Sequence, residues 1–494
     1  MHIVSYRGPG KAGGVSAALA RAWECNFNNG GLWWHLTDNT LEVSSSPHTP
    51  AIHIADLPTE VIEGHYRYCN DFLWPIMHDL PQYARYISED RASYNTFNQQ
   101  VGWCLARAQS HGMPHEFFVQ DYQLSLLPRF LKKTGYRTVA FWHIPWPKHV
   151  DDMFAAAIED VAIGLLSTDA IGFHTQEYAD NFARFVQQRL PEFNCSADGM
   201  TIWSGDKSAY AELAQRVEPG RYAPLRQRAT GHTTKLVVAP LGIDFDNWAR
   251  LAADQRNTLW HPALMRTPFV LSVDRADYTK GVTDRIRSID AFFERHPEWR
   301  ERIVFAQICG KTRPGLQSFD EYWKECQQLY AHLQERWATE SWQPLVWLET
   351  SFSPADLAHA YRTAAAMLIS AVRDGLNLTA KEYIACQGER PGVLALSSGT
   401  GAWNELSEHT VALQPRDANQ MSEAIFQALS MDAHERAWRM AMLKDAVRSN
   451  SLNRWWFTFS TLAGATQRSG GYLPAQISYQ SALSPQNMAQ RRVI

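Results

Sequence analysis

The sequence predicts an α/β protein made of two parallel-sheet domains. Short apolar runs alternate with longer helical patterns along most of the chain, which is the rhythm of parallel sheets with crossover helices. The chain has 494 residues, more than a single hydrophobic core normally serves. No repeat of 20–50 residues is visible, which sets aside solenoids and propellers.

The runs that read as buried strands are residues 2–5, 117–120, 138–142 and 170–173, then 236–239, 269–273, 303–308, 345–348 and 367–370. The polar stretch 205–234, followed by the strand and turn LVVAPLGID, marks a domain boundary near residue 240. The expected units are 1–240 and 241–452, an aromatic helix at 453–466, and a loosely ordered tail at 467–494 rich in Gln, Ser, Gly and Pro. Loops at the carboxyl ends of parallel strands collect ligands, so the residues just after each run are the place to look for chemistry.

Composition excludes several classes. Lys and Arg number 47 against 51 Asp and Glu, a net charge of -4 that provides no general attraction for nucleic acid. No apolar stretch approaches the ~20 residues needed to cross a bilayer. The seven cysteines are scattered, without a C-x-x-C pair or zinc-type spacing, and read as thiols of a reduced, cytoplasmic protein. No metal and no cofactor are expected, and self-association stays open.

The first strand runs into Arg7-Gly8-Pro9-Gly10-Lys11-Ala12-Gly13-Gly14 and then a helical pattern. Formally this holds G-x-G-x-x-G, in which glycines let the backbone approach a pyrophosphate at a helix N-terminus. A dinucleotide site also wants an acidic residue about 20 positions on. Here that region reads Gly30-Gly31-Leu32-Trp33-Trp34. Arg7, just past a strand end, suits a phosphate or sugar-phosphate clamp instead. Gly310-Lys311-Thr312 is no Walker motif, because Phe305 stands where its first glycine belongs.

The strongest signal lies in the second half. The strand at 269–273 leads to Asp274-Arg275-Ala276-Asp277-Tyr278-Thr279-Lys280-Gly281, which puts two cations on one strand-to-helix loop, suited to a diphosphate. Lys311 and Arg313 add positive charge after the next strand. After 367–370 comes Arg373-Asp374-Gly375-Leu376-Asn377-Leu378-Thr379-Ala380-Lys381-Glu382. Gly375 frees the turn, the following amides open a helix that can cap an anion, and Glu382 stands about one turn in, where it can take two ribose hydroxyls.

These segments resemble the trehalose-6-phosphate synthase family over residues 1–465. The resemblance rests on the glycine loop, Leu73-Trp74-Pro75, Asp121-Tyr122-Gln123-Leu124, His143-Ile144-Pro145-Trp146-Pro147, Gly172-Phe173-His174-Thr175, Arg275-x-Asp277-Tyr278-Thr279-Lys280-Gly281, Arg373 to Leu378, Lys381-Glu382-Tyr383 and Gly401-Ala402-Trp403-Asn404-Glu405-Leu406. It implies the glycosyltransferase B fold, two Rossmann-like domains facing a central cleft, with the last helix crossing back to the first domain. It also implies metal-independent, retaining transfer of glucose from a nucleoside diphosphate glucose to a sugar-phosphate acceptor, glucose 6-phosphate.

Carried over by motif, Gly13, Gly14, Arg275, Lys280, Asp374, Gly375, Leu376, Asn377, Leu378 and Glu382 would hold the donor. Arg7, His65, Trp74, Asp121 and Arg313 would face the acceptor. Arg275 and Lys280 would neutralise the leaving diphosphate, with His143 and Asp121 placing the hexose and acceptor hydroxyls.

The match departs on the acceptor side. The loop between Arg7 and Gly13 is short, Leu36 stands where the family has tryptophan, and the family's acceptor-contacting tyrosine aligns with His65, beside Tyr66. A protonated His65 would still hold phosphate. The donor's base, UDP, GDP or ADP, stays open. The alternatives are transfer to glycerol 3-phosphate by a sibling enzyme and, outside catalysis, a silent sugar-phosphate sensor.

Overall fold

The computed structural model describes residues 1–464 apart from 11–12, 27–30, 48, 109–115, 133–134, 205–231, 255–260 and the side chains of Asn26, Ala108 and Met265. The expected tail and most of the polar boundary stretch lie outside the described residues. Ten strands form the first sheet: β1 (His2–Arg7), β2 (Trp33–Thr37), β3 (Thr40–Ser44), β4 (Ile52–Asp56), β5 (Glu116–Gln120), β6 (Arg137–Trp142), β7 (Ala170–Phe173), β8 (Phe193–Cys195), β9 (Thr201–Ser204) and β10 (Thr233–Val238). Their order is β4-β3-β2-β1-β5-β6-β7-β10-β9-β8. The pairings from β2 to β10 are parallel, and both edges are antiparallel ribbons.

The second sheet has six strands, all parallel: β11 (Phe269–Ala276), β12 (Val304–Lys311), β13 (Leu345–Leu348), β14 (Ala366–Ile369), β15 (Val393–Ser397) and β16 (Val411–Leu413). The order is β13-β12-β11-β14-β15-β16. Successive strands leave β11 in one direction and resume on its other side at β14. In the first sheet the same reversal falls between β1 and β5. Parallel sheets bind ligands outside the strand ends at such reversals. The loops that follow β1, β5, β11 and β14 are therefore the ones to inspect, and they carry most of the candidate residues.

The central strands are continuous apolar runs because both faces are covered by helices. Val119, Phe118, Val139, Phe141, Leu271 and Leu368 are each at most 2% exposed. The helix Leu452–Leu462 packs on the first sheet. Its Trp455 and Phe459 rings lie 5.3 and 5.2 Å from Phe118, and Phe459 is 5.1 Å from Phe141. At the linker, Gly242 lies against the Ser451–Leu452 backbone so closely that a Cβ would collide with it.

Candidate active site

The two sheets bring their reversal points face to face. A Cβ on Gly14, where the helix Gly14–Asn26 begins, would stand 3.2 Å from Leu378, where the helix Leu378–Cys386 begins. Gly375 meets the other side of the cleft, and a Cβ there would collide with the His143 carbonyl oxygen. That close approach, rather than a special φ, is why glycine occupies 375. Tyr178 of the first domain donates to the Asp374 carbonyl at 3.0 Å, and Arg373 pairs with Glu177 at 2.7 Å.

On the β11 side, Arg275 is not in a loop as the sequence suggested. It belongs to the strand, paired with Gly310, and its side chain is exposed. The neighbouring carboxylates do not neutralise it. Asp274 pairs with Arg285 at 2.8 Å, and Asp277 pairs with Arg313 at 2.9 Å. The Arg275 side chain makes no hydrogen bond or ion pair with any described residue. Although the side chain is open to the cleft, the protein mass around its base partly desolvates it, and with Arg313 and Arg7 adding repulsion its pKa is lowered from the ordinary arginine value. An arginine so placed is a ready site for an anion.

Lys280 sits one short turn on, its Nζ 2.6 Å from Asp374 Oδ2. Burial alone would raise the Asp374 carboxyl, but the Lys280 ammonium outweighs it and holds the group below its usual range. Asn377 donates to the same oxygen at 3.1 Å and caps the following helix by accepting from the Ala380 amide at 3.1 Å. It does so at φ 86, a conformation that asparagine tolerates better than most residues. Leu376 is buried and Leu378 half-buried beside the cap. Glu382, half-buried, accepts from Tyr361 at 3.2 Å, and burial pushes its carboxyl up to about 7.

Across the cleft, the Arg313 guanidinium, from the loop after β12, lies 4.1 Å over the ring of Trp74 of the first domain, and Trp74 Nε1 donates to Asp277 at 3.4 Å. The half-buried Tyr66 lies in the field of Arg313, Arg7 and Arg275, although burial keeps its phenol pKa above the ordinary value. The charges of three guanidiniums thus act on one hydroxyl. Lys311, expected to add charge here, instead pairs at the surface with Asp320 at 2.8 Å.

His65 does not face the acceptor as the aligned motif suggested. It is 0% exposed, with ring centroids 5.3, 5.4 and 3.8 Å from Tyr6, Tyr94 and Phe97. Its Nε2 is 2.9 Å from the Gln123 carbonyl, and burial lowers its pKa to about 4. It is a neutral core residue. Adjacent helical positions point about 100° apart, so a helix that turns 65 into the core turns 66 toward the arginines. The signal was present in the sequence as the neighbouring tyrosine.

Asp121 follows β5 at φ 68 and ψ 176, a region that costs a non-glycine residue of order 1–3 kcal/mol and that clusters at functional sites. Its carboxylate accepts the His143 amide at 3.1 Å, and burial raises it to about 7. His143 is 5% exposed, its Nε2 lies 2.9 Å from Gln120 Oε1, and burial lowers the ring to about 3. Gln120 drew no notice in the sequence, since it reads as the polar end of an apolar run. Gly13 lies at φ 142, Arg7 beside it is exposed, and Lys11 and Ala12 are outside the described residues. Among the described residues, no group of three His, Cys, Asp or Glu side chains could hold a metal ion, and no helix is long and apolar enough to cross a membrane.

The sequence model of Glycosyltransferase family 20 matches residues 38–463. A bifunctional trehalose-6-phosphate synthase/phosphatase of Thermoproteus tenax is 30% identical over 422 residues, covering 83% of this chain and 54% of that protein. A trehalose-6-phosphate synthase of Sinorhizobium fredii is 28% identical over 483 residues, covering 93% and 96%. The chain spans about half the length of the first relatives it matches, 54% and 52%. Among solved structures, a UDP-forming alpha,alpha-trehalose-phosphate synthase from Burkholderia xenovorans superposes with a TM-score of 0.79 at 26% identity, covering 94% of this chain and 98% of that one. A structure of such an enzyme in complex with glucose-6-phosphate gives 0.80 at 25% identity, covering 94% and 99%.

Proposed function

Since the chain belongs to glycosyltransferase family 20, we propose that it transfers glucose from a nucleoside diphosphate glucose to glucose 6-phosphate, with retention, giving alpha,alpha-trehalose 6-phosphate. The observation that carries the reading is the pair of facing sites. Arg275 and Lys280 lie at the reversal point of the second sheet; Arg7, at that of the first, acts on Tyr66 together with Arg313, which comes from the loop after β12, and with Arg275, while the Asp374–Gly375 turn lies against His143. One site suits a diphosphate and the other a monophosphate, which is what a nucleotide sugar and a sugar phosphate bring to a common cleft.

In this reading residues 241–452 hold the donor and residues 1–240 the acceptor, with Arg313 of the second unit added to the acceptor side and 453–466 tying the second unit back to the first. The diphosphate draws Lys280 away from Asp374 and lies against Arg275 and the amides of Leu376 to Leu378. Asp374, released from the ammonium, accepts hydroxyls of the hexose, and Glu382 accepts those of the ribose. As the bond from the anomeric carbon to the diphosphate oxygen breaks, Arg275 and Lys280 stabilise the charge left on the phosphates. The departing oxygen takes the proton of the acceptor hydroxyl on the same face, and that hydroxyl bonds to the anomeric carbon. Such substrates are metabolites of the cytoplasm, where the free cysteines of this chain fit.

Nucleotide release by the purified protein tests the reading, with UDP-, GDP- and ADP-glucose each offered glucose 6-phosphate, glycerol 3-phosphate or no acceptor. Release that depends on glucose 6-phosphate is the expected result and names the base. Dependence on glycerol 3-phosphate would replace the acceptor, and silence with every pair would overturn transfer itself.

A further inference from the structure

Gln120 is the last residue of β5 and is 1% exposed. Its Oε1 lies 2.9 Å from His143 Nε2, while its amide nitrogen leans toward the Phe118 carbonyl at 3.5 Å. That carbonyl orients the amide, because only the NH2 side can face it. An amide oxygen only accepts, so His143 Nε2 carries the proton and Nδ1 is left as a bare lone pair. Nδ1 is buried and has no hydrogen-bond partner among the described residues.

A buried acceptor without a partner costs free energy and asks for an explanation. The rest of His143 is fixed: its amide donates to Asp121 at 3.1 Å and its carbonyl abuts Gly375. Those anchors leave Nδ1 as the one uncommitted atom of a residue held between Asp121 on one domain and the Asp374–Leu378 turn on the other.

We propose that Gln120 is a positioning residue that locks His143 in its Nε2-protonated form, so that Nδ1 accepts a hydrogen bond from a hydroxyl of the hexose in transit. This rests on the transfer reading above. The choice of an amide has a chemical consequence. A carboxylate at 120 would favour a second proton on the ring and remove the lone pair, whereas an amide cannot. The other groups facing the ring are Asp121 at its backbone, His174 at 5.3 Å between ring centroids, and Lys381, whose charge acts on His174. Burial keeps the ring neutral through the physiological range.

Three measurements test the assignment. Gln120→Met, similar in size but without the acceptor, is expected to lower kcat/KM for the donor roughly 10- to 100-fold, the usual effect of losing a group that orients a site residue, with Tm unchanged. Gln120→Glu is expected to add an acidic limb to the kcat/KM profile between about pH 5 and 7, where the raised His143 pKa costs the lone pair. Wild-type values and pH profile in both variants would overturn the proposal.

Nitrogen-15 NMR of histidine-labelled protein, with the His143 signals identified by their loss in His143→Asn, reads the proton directly. Protonation at Nε2 in the wild type, lost in Gln120→Met, supports the assignment, and a proton on Nδ1 in the wild type overturns it. Because the NMR needs no turnover, it decides the matter even if nucleotide release fails, or if Gln120→Glu does not fold.

Discussion

Arg275 and Lys280 carry the same charge but differ in what they hold before a ligand arrives. Lys280 neutralises Asp374, whereas Arg275 neutralises nothing among the described residues. Replacing either by alanine is expected to lower kcat about 100-fold, the scale of losing one preorganised donor to developing charge. Only Lys280→Ala should also lower stability, by about 1–3 kcal/mol in urea titrations, because it leaves the Asp374 carboxylate without its ammonium. Glu382 supplies a pH dependence. Burial pushes its carboxyl up to about 7, and in the proposed role as acceptor of ribose hydroxyls it works best when ionised, so donor affinity should rise as pH rises through 7. The donor Kd, measured without acceptor, should fall up to about 10-fold from pH 6 to pH 8, and Glu382→Gln should flatten the change. Motif order made Arg275, Lys280 and Asp374 legible in the sequence, since charge, loop and spacing are local. The facing of His65 was not, because the phase of a helix against its core is a tertiary property that one-residue alignment cannot fix.

At the scale of elements, the helix Leu378–Cys386 depends on one residue for both its start and its place in the site. Asn377 caps the helix, holds Asp374 and accepts a left-handed backbone. Asn377→Ala should cost about 1–2 kcal/mol from the lost cap and backbone strain, and Asn377→Gly less, since glycine relieves the φ. Thermal melts rank the two, and both should weaken donor binding by freeing Asp374. The parallel strands were legible because burial on both faces makes continuous apolar runs. The antiparallel edge strands β4, β8 and β9 were not, because they are only partly buried and the pattern loses contrast. In β4 no residue is fully buried. β15 carries a readable run, Val393–Ser397 between Pro391-Gly392 and Ser398-Gly399, and is a strand beyond those expected from the sequence. β11 ran three residues beyond its apolar core because Asp274, Arg275 and Ala276 still find partners in β12.

For the whole molecule, the joint between the sheets rests on a buried charge. Lys381 is 0% exposed and bonds the linker carbonyl of Leu241 at 3.0 Å and Glu405 at 2.8 Å, while Asn450 holds the same carboxylate at 2.8 Å. Lys381→Met is expected to destabilise the protein by about 3–5 kcal/mol, the cost of leaving a buried partner unpaired, measured by the urea midpoint. The sequence showed Lys381 and Glu405 within two motifs but could not show that they meet, because 24 positions and a β-strand separate them. The helix Leu452–Leu462 sets an order of events during synthesis. Phe118 and Phe141 of the first sheet stay uncovered until Trp455 and Phe459 leave the ribosome, about 200 residues after β10. At roughly 5–20 residues per second that is a wait of about 10–40 s. The nascent first domain thus carries this aromatic face uncovered until the second has been made.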